Sequence, residues 1–221
     1  MIDVSNLKDA LETLGFVAHG DIHEKVFPEI GCSLKVDFHA KKLIYPNEIK
    51  GRERNDGFDQ KENFVVFECV CRLLSKGYRP EHIELEKEWH LGHDAKGGRA
   101  DICVSDTSGN MLFIIECKTW GREYDKALNN TKNDGAQLFS YWQQEQSCKW
   151  LVLYASDLKG GCIVHKASTI DCSDDANIVL LSKKDKSIKL YRDAHTTSAK
   201  YEAWKETYGS QIHDDLIFSE D

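Results

Sequence analysis

The chain has 221 residues, 41% of them hydrophobic and 30% charged, with a formal net charge of −8 and a sequence pI of about 5.6. That length suits one globular domain with small additions. The acidic balance excludes a stand-alone, tight, non-specific nucleic-acid binder, which needs an excess of Lys and Arg. It leaves open a phosphodiester-cleaving site, whose working groups are themselves acidic. No signal peptide and no transmembrane run is visible. Eight cysteines occur without a C-x-x-C pair. Several fall in apolar segments, so they read as reduced thiols of a cytoplasmic protein.

Residues 5–14 predict a short amphipathic helix with Leu7, Ala10, Leu11 and Leu14 on one stripe. Residues 26–45 predict a small hairpin, because Leu34, Val36 and Phe38 alternate with polar residues. A polar stretch, 46–61, follows. Residues 62–76 predict the first strong helix: Val66, Phe67, Val70, Leu73 and Leu74 form its apolar side. Glu68, Arg72 and Lys76 fall on the other side at i, i+4 spacing, which predicts a solvated charge ladder. Glu62, at the edge of the apolar side in the first turn, either faces inward or answers the helix dipole. The alternation of Ile83, Leu85, Lys87 and Trp89 predicts a strand. His90 and His93 beyond it have the spacing of a metal pair, but no Cys or carboxylate nearby completes a zinc set. A basic, glycine-containing loop is expected at 94–99.

Two apolar strands follow, Arg99–Val104 and Met111–Ile115, joined by a polar turn at 106–110. If they pair as a hairpin, Asp101 and Glu116 meet at one end on neighbouring strands. Glu116 and Lys118, two apart, point to the same face. Two carboxylates and an ammonium at the end of a buried strand are either a salt bridge at a sheet edge or a site that needs them, since burying charge is costly. A helix is expected over 128–146, clearest from Asp134, with Gln137 and Tyr141 four apart on one face. Strands are expected at 150–155 and 162–166, then at 178–181 and 188–191, with a terminal helix at 197–208. No internal repeat, P-loop or G-x-S-x-G elbow occurs.

The order of elements, and the pattern of Asp101, fourteen residues, then Glu116-Cys117-Lys118, resembles the PD-(D/E)XK nuclease superfamily. More particularly, Arg99-Ala100-Asp101-Ile102, Ile114-Ile115-Glu116-Cys117-Lys118 and Gln137-Leu138-Phe139-Ser140-Tyr141 resemble the N-terminal nuclease domain of type I restriction-enzyme restriction subunits. The likeness covers roughly residues 62–155. It departs from the superfamily pattern in having Ala100 where a Pro often precedes the Asp. It implies an α/β (α+β), restriction-endonuclease-like core, a mixed central sheet flanked by helices, to which the N-terminal helix and hairpin read from periodicity are a small addition. The expected divisions are 1–61 for that addition, 62–168 for the nuclease core and 169–221 for a C-terminal extension.

The activity implied is metal-dependent DNA endonuclease cleavage in a type I-like restriction–modification system. Asp101, Glu116, Lys118 and Glu62 would be catalytic. Asp101, Glu116, the Cys117 carbonyl and Glu62 would hold Mg²⁺ or Mn²⁺, since such hard cations take oxygen ligands. Gln137 and Tyr141 would position the DNA backbone. Lys96, Arg99, Arg122, Lys126 and Lys132 flank this site as candidate phosphate contacts. The partners implied are double-stranded DNA, and motor, methyltransferase and specificity modules on other chains or a longer parent chain, with no membrane. Two other readings are a repair or recombination nuclease on the same core, and an inactive nuclease fold used for assembly.

Overall fold

The structure, a computed structural model, describes residues 1–91 and 95–173. It is a mixed α/β architecture of two sheets and four helices among those residues. Helix α1 (Leu7–Thr13) opens the chain. A four-stranded antiparallel sheet follows: β1 (Val17–His19), β2 (Ile22–Phe27), β3 (Cys32–Asp37) and β4 (Lys42–Ile44), in that spatial order. The expected hairpin is β3–β4, which this sheet extends by two strands. All three residues of β1 are exposed, so they give no alternation to read.

Helix α2 (Lys61–Ser75) lies between this sheet and the second one. The second sheet runs in the order β5 (Ile83–Leu91), β6 (Ala95–Ser105), β7 (Met111–Cys117), β8 (Trp150–Lys159), β9 (Cys162–Asp171). β7 and β8 are parallel and the other neighbours antiparallel. A parallel pair needs a long crossover, supplied here by α3 (Arg122–Asp134) and α4 (Ala136–Gln144). Those helices cover one face of the sheet, packing Tyr124 and Leu138 with Ile114, Leu151 and Leu153. Helix α2 covers the other, where Val66 and Val70 join a core with Ile115, Val152 and Tyr154. Every residue of β7 is buried, which is why it reads as an apolar run rather than an alternating one.

Three expectations are corrected. Glu68 and Arg72 are not a solvated ladder. The Glu68 side chain is 2% exposed and Arg72 13%, joined at 3.1 Å, and Tyr154 Oη donates to Glu68 Oε2 at 2.7 Å. Sheets on both sides of α2 leave it no wholly solvated face. The helix expected over 128–146 is two helices. Gly135, at φ 74°, breaks it in the left-handed conformation that glycine adopts without steric cost, and α3 begins earlier, with Glu123 and Asp125 in its first turn. The loop expected at 94–99 is strand from Ala95 onward, paired with β5.

Strand β9 runs on to Asp171, past the expected boundary at 168. The elements expected at 178–181, 188–191 and 197–208 lie outside the described residues, as does His93. All eight cysteines are free thiols. Among the described residues no helix is long and apolar enough to cross a membrane.

Candidate active site

Register brings the acids together. Ile102 of β6 pairs with Ile115 of β7, so one step further along each strand stand Asp101 and Glu116. The Cys117 N–H donates to Asp101 Oδ2 at 2.6 Å. Past the end of β7, the Lys118 N–H donates to the Tyr154 carbonyl of β8 at 2.8 Å, which extends the parallel pairing by one bond and aims Lys118 back along the strand. Its ammonium donates to Glu116 Oε1 at 2.5 Å, Glu62 Oε1 at 2.9 Å and the Cys117 carbonyl at 2.9 Å. All three ammonium protons are thereby used. Glu62 arrives from the first turn of α2, so the three-layer packing delivers it to the strand ends.

The cluster holds three carboxylates to one ammonium. The Glu116 side chain is 4% exposed and Lys118 20%. Burial raises the Asp101 pKa well above the usual carboxylate range, and the Glu116 charge adds to it. Burial also raises Glu116, with Lys118 and Tyr141 pulling the other way. For Lys118, burial opposes the charge, but Glu116, Asp101 and Glu62 outweigh it and the pKa rises. Lys118 is therefore held as a cation that donates to the oxygens around it. The oxygens around it are hard donors of the kind a divalent cation takes. Among the described residues no three His, Cys, Asp or Glu side chains form a finished metal cage; the Lys118 ammonium stands where the oxygens converge.

Tyr141 reaches the cluster from α4. Its hydroxyl lies 2.9 Å from Glu116 Oε2 and 2.5 Å from the Arg99 carbonyl, and with one proton it donates to one of them at a time. Gln137 Nε2 donates to the same hydroxyl at 2.7 Å. Tyr141 is wholly buried and stacks on Trp89, with ring centroids 5.5 Å apart. A Cβ on Gly98 would lie 2.5 Å from Tyr141 Cε1. The glycine that reads as loop flexibility is there to make room for the tyrosine ring. Burial and then Glu116 raise the Tyr141 pKa, so it stays a neutral phenol. Tyr141 thus orients Glu116, while Gln137, exposed, faces solvent above it.

A cleft of about 220 Å³ opens beside this cluster, lined by Glu116, Lys118, Lys126, Asn130 and Gln137 among others. Of the expected phosphate contacts, Lys126 borders the cleft, while Arg122 and Lys132 are exposed on α3. Arg99 is committed to an ion pair with the buried Glu86. The Lys96 and His90 side chains lie outside what is described. Sequence reasoning missed Gly98, Trp89 and the Tyr154 carbonyl; each acts through a partner distant in sequence, so no local pattern marks it. No curated protein matches the chain. Residues 62–170, from the first turn of α2 to the next-to-last residue of β9, match the family described as type I restriction enzyme R protein N terminus.

Proposed function

We propose that this chain carries a Mg²⁺- or Mn²⁺-dependent endodeoxyribonuclease site of the PD-(D/E)XK kind, acting on double-stranded DNA in a type I-like restriction–modification system. The observation that carries the reading is the surplus of carboxylate: Glu116 and Glu62 both pair with the Lys118 ammonium, and Asp101 stands beside them on the neighbouring strand, next to a cleft lined by Glu116 and Lys118. Such a cluster is costly for a merely structural ion pair and suited to a cation. Asp101, Glu116, Glu62 and the Cys117 carbonyl would hold the ion. When bound, the ion supplies Lewis-acid stabilisation of charge on the phosphoryl group and lowers the pKa of bound water.

The chain's own residues do the rest. Tyr141 fixes the Glu116 rotamer through its hydroxyl. Lys118, held charged, balances negative charge as it develops, and would donate to a phosphate oxygen or to the attacking water once Glu116 and Glu62 turn from it to the ion. Gln137, at the cleft wall, holds the Tyr141 hydroxyl and acts through it. Arg122, Lys126 and Lys132 on α3 contribute phosphate contacts that position without reading sequence. The acidic net charge fits a domain whose affinity for DNA comes largely from motor, methyltransferase and specificity modules on other chains or a longer parent chain. The setting is the cytoplasm.

The test is nicking of supercoiled DNA with and without Mg²⁺ or Mn²⁺, beside calorimetric titration of the same ions. Cleavage that needs the divalent ion, with binding heat lost in Asp101→Asn, is the expected result. DNA binding without cleavage and without Asp101-dependent heat would make the domain an assembly module.

A further inference from the structure

Trp120 lies two residues beyond Lys118, and two residues of chain span at most about 7 Å. Its ring holds two ammoniums: Lys159 Nζ stands 4.0 Å and Lys166 Nζ 4.7 Å from the centroid. Lys166 also lies 4.1 Å from the Tyr124 ring centroid. These lysines come from the β8–β9 hairpin, which projects beyond the end of β7. Lys166 is the register partner of Ala155, the residue after the Tyr154 that anchors Lys118. Glu116 pairs with Leu153 across the parallel strands, so Glu116, Ala155 and Lys166 share one face of the sheet. The aromatic–lysine cluster and the carboxylate cluster therefore stand side by side on the same face and at the same end.

Two like charges drawn to one ring is an arrangement that concentrates positive charge at a fixed point, in a chain that is acidic as a whole. Asp125 pairs with Lys166 at 3.1 Å, and its side chain is 64% exposed, so this pair is screened and readily exchanged for another anion. Among the described residues, Lys159 has no carboxylate partner. The ring face is taken by ammoniums, which favours phosphate oxygens over a stacked base as the ligand.

We infer that Trp120, Lys159 and Lys166 form a backbone-binding platform that receives phosphates of the cleaved DNA strand, close to the bond cleaved at Glu116 and Lys118. The inference rests on the nuclease reading and adds to it a second contact region on the β8–β9 hairpin. Phosphates of one strand recur about every 3.4 Å along the helix axis, so a cluster this close to Lys118 falls within a few nucleotides of the cleaved bond. Trp120 sets the position of the lysines, and the lysines supply the charge.

The experiment measures binding of a short DNA duplex by fluorescence anisotropy without divalent ion across a salt series, with cleavage of the same duplex alongside. Lys159→Gln/Lys166→Gln should bind more than about tenfold more weakly. Its dependence of log K on log salt should be shallower by about 1.8, because each phosphate contact contributes about 0.9. Trp120→Leu should weaken binding and keep the parent slope, since it frees the ammoniums without removing them. Lys159→Arg/Lys166→Arg should restore affinity. Thermal melting of each variant checks that it is folded. Parent affinity and slope in the folded Gln double variant overturn the platform while leaving the nuclease reading standing. A parent chain that neither binds nor cuts DNA at low salt overturns both.

Discussion

Each face of the β7–β8 pair carries a buried glutamate, a cation and a tyrosine hydroxyl. On the α2 face these are Glu68, Arg72 and Tyr154; on the α3–α4 face they are Glu116, Lys118 and Tyr141. The ingredients match but the proportions do not. Glu68 and Arg72 are one carboxylate to one guanidinium, and the Tyr154 hydroxyl donates to the carboxylate and accepts from the Arg72 Nε at 3.1 Å. That cluster is complete, walled in by two sheets and has no cleft against it among the cavities described. The other holds Asp101, Glu116 and Glu62 against Lys118 alone and opens on a cleft. A balanced buried pair is a device of the fold, whereas an unbalanced one at a cavity mouth has capacity left for a ligand. Charge count and access separate the two clusters where residue type does not.

The largest effect that would break this contrast is in stability. Glu68→Gln leaves the Arg72 guanidinium buried without its carboxylate, and breaking a buried pair this way costs about 3–5 kcal/mol. For a chain of this size, at about 2–4 °C per kcal/mol, the melting temperature should fall by roughly 10 °C, while cleavage per folded molecule stays at the parent rate. A near-neutral Glu68→Gln would mean that the pair is not buried as described.

On the opposite face the signs reverse. Glu116→Ala removes one of three crowded carboxylates and leaves Lys118 with Glu62 and Asp101. Without divalent ion the melting temperature should hold or rise. Cleavage should drop by at least about a hundredfold, the scale of losing one group that stabilises developing charge. Parent-rate cleavage by this variant would remove Glu116 from the site.

A smaller effect tests how the site is supported. Gly98→Ala places a Cβ against the Tyr141 ring, and overpacking of this kind costs about 1–3 kcal/mol. Melting temperature and cleavage rate should fall together, because the ring can only yield by carrying its hydroxyl away from Glu116.

What could be read in the sequence follows how local each feature is. Asp101, Glu116 and Lys118 were legible because one tight turn and one hairpin register bring them together, and Asp106 closes that turn by accepting the Ser108 and Asn110 N–H groups at 2.8 Å. Glu62 could be placed on the right helix but not aimed, since its direction depends on how α2 sits against β7. Glu68 was misread for the same reason: helical periodicity gives a back and a front, and it cannot show that a second sheet covers the back. The Gly135 break was missed because a single glycine inside a helical pattern is usually tolerated. Gly98 answers to Tyr141, forty-three positions on in the chain, and only the fold joins them.

The finest distinction is within the Gln137–Tyr141 pair. Tyr141 touches Glu116 and Gln137 touches Tyr141, so the two act in series rather than as independent contacts. Tyr141→Phe keeps the ring on Trp89 and removes the hydroxyl, leaving Glu116 Oε2 and the Arg99 carbonyl without that donor. A hydrogen bond to a charged group contributes about 1.5–3 kcal/mol, so cleavage should slow by roughly ten- to a hundredfold with divalent-ion affinity near the parent value. Gln137→Ala alone should slow cleavage by less, because the tyrosine still reaches Glu116 without it. The double variant decides the order of action. If Gln137 works through the Tyr141 hydroxyl, its loss in the Tyr141→Phe background should cost almost nothing, a strong departure from additivity. Additive losses would instead give Gln137 a contact of its own with the DNA backbone, and calorimetry in parallel would show whether either residue bears on ion binding.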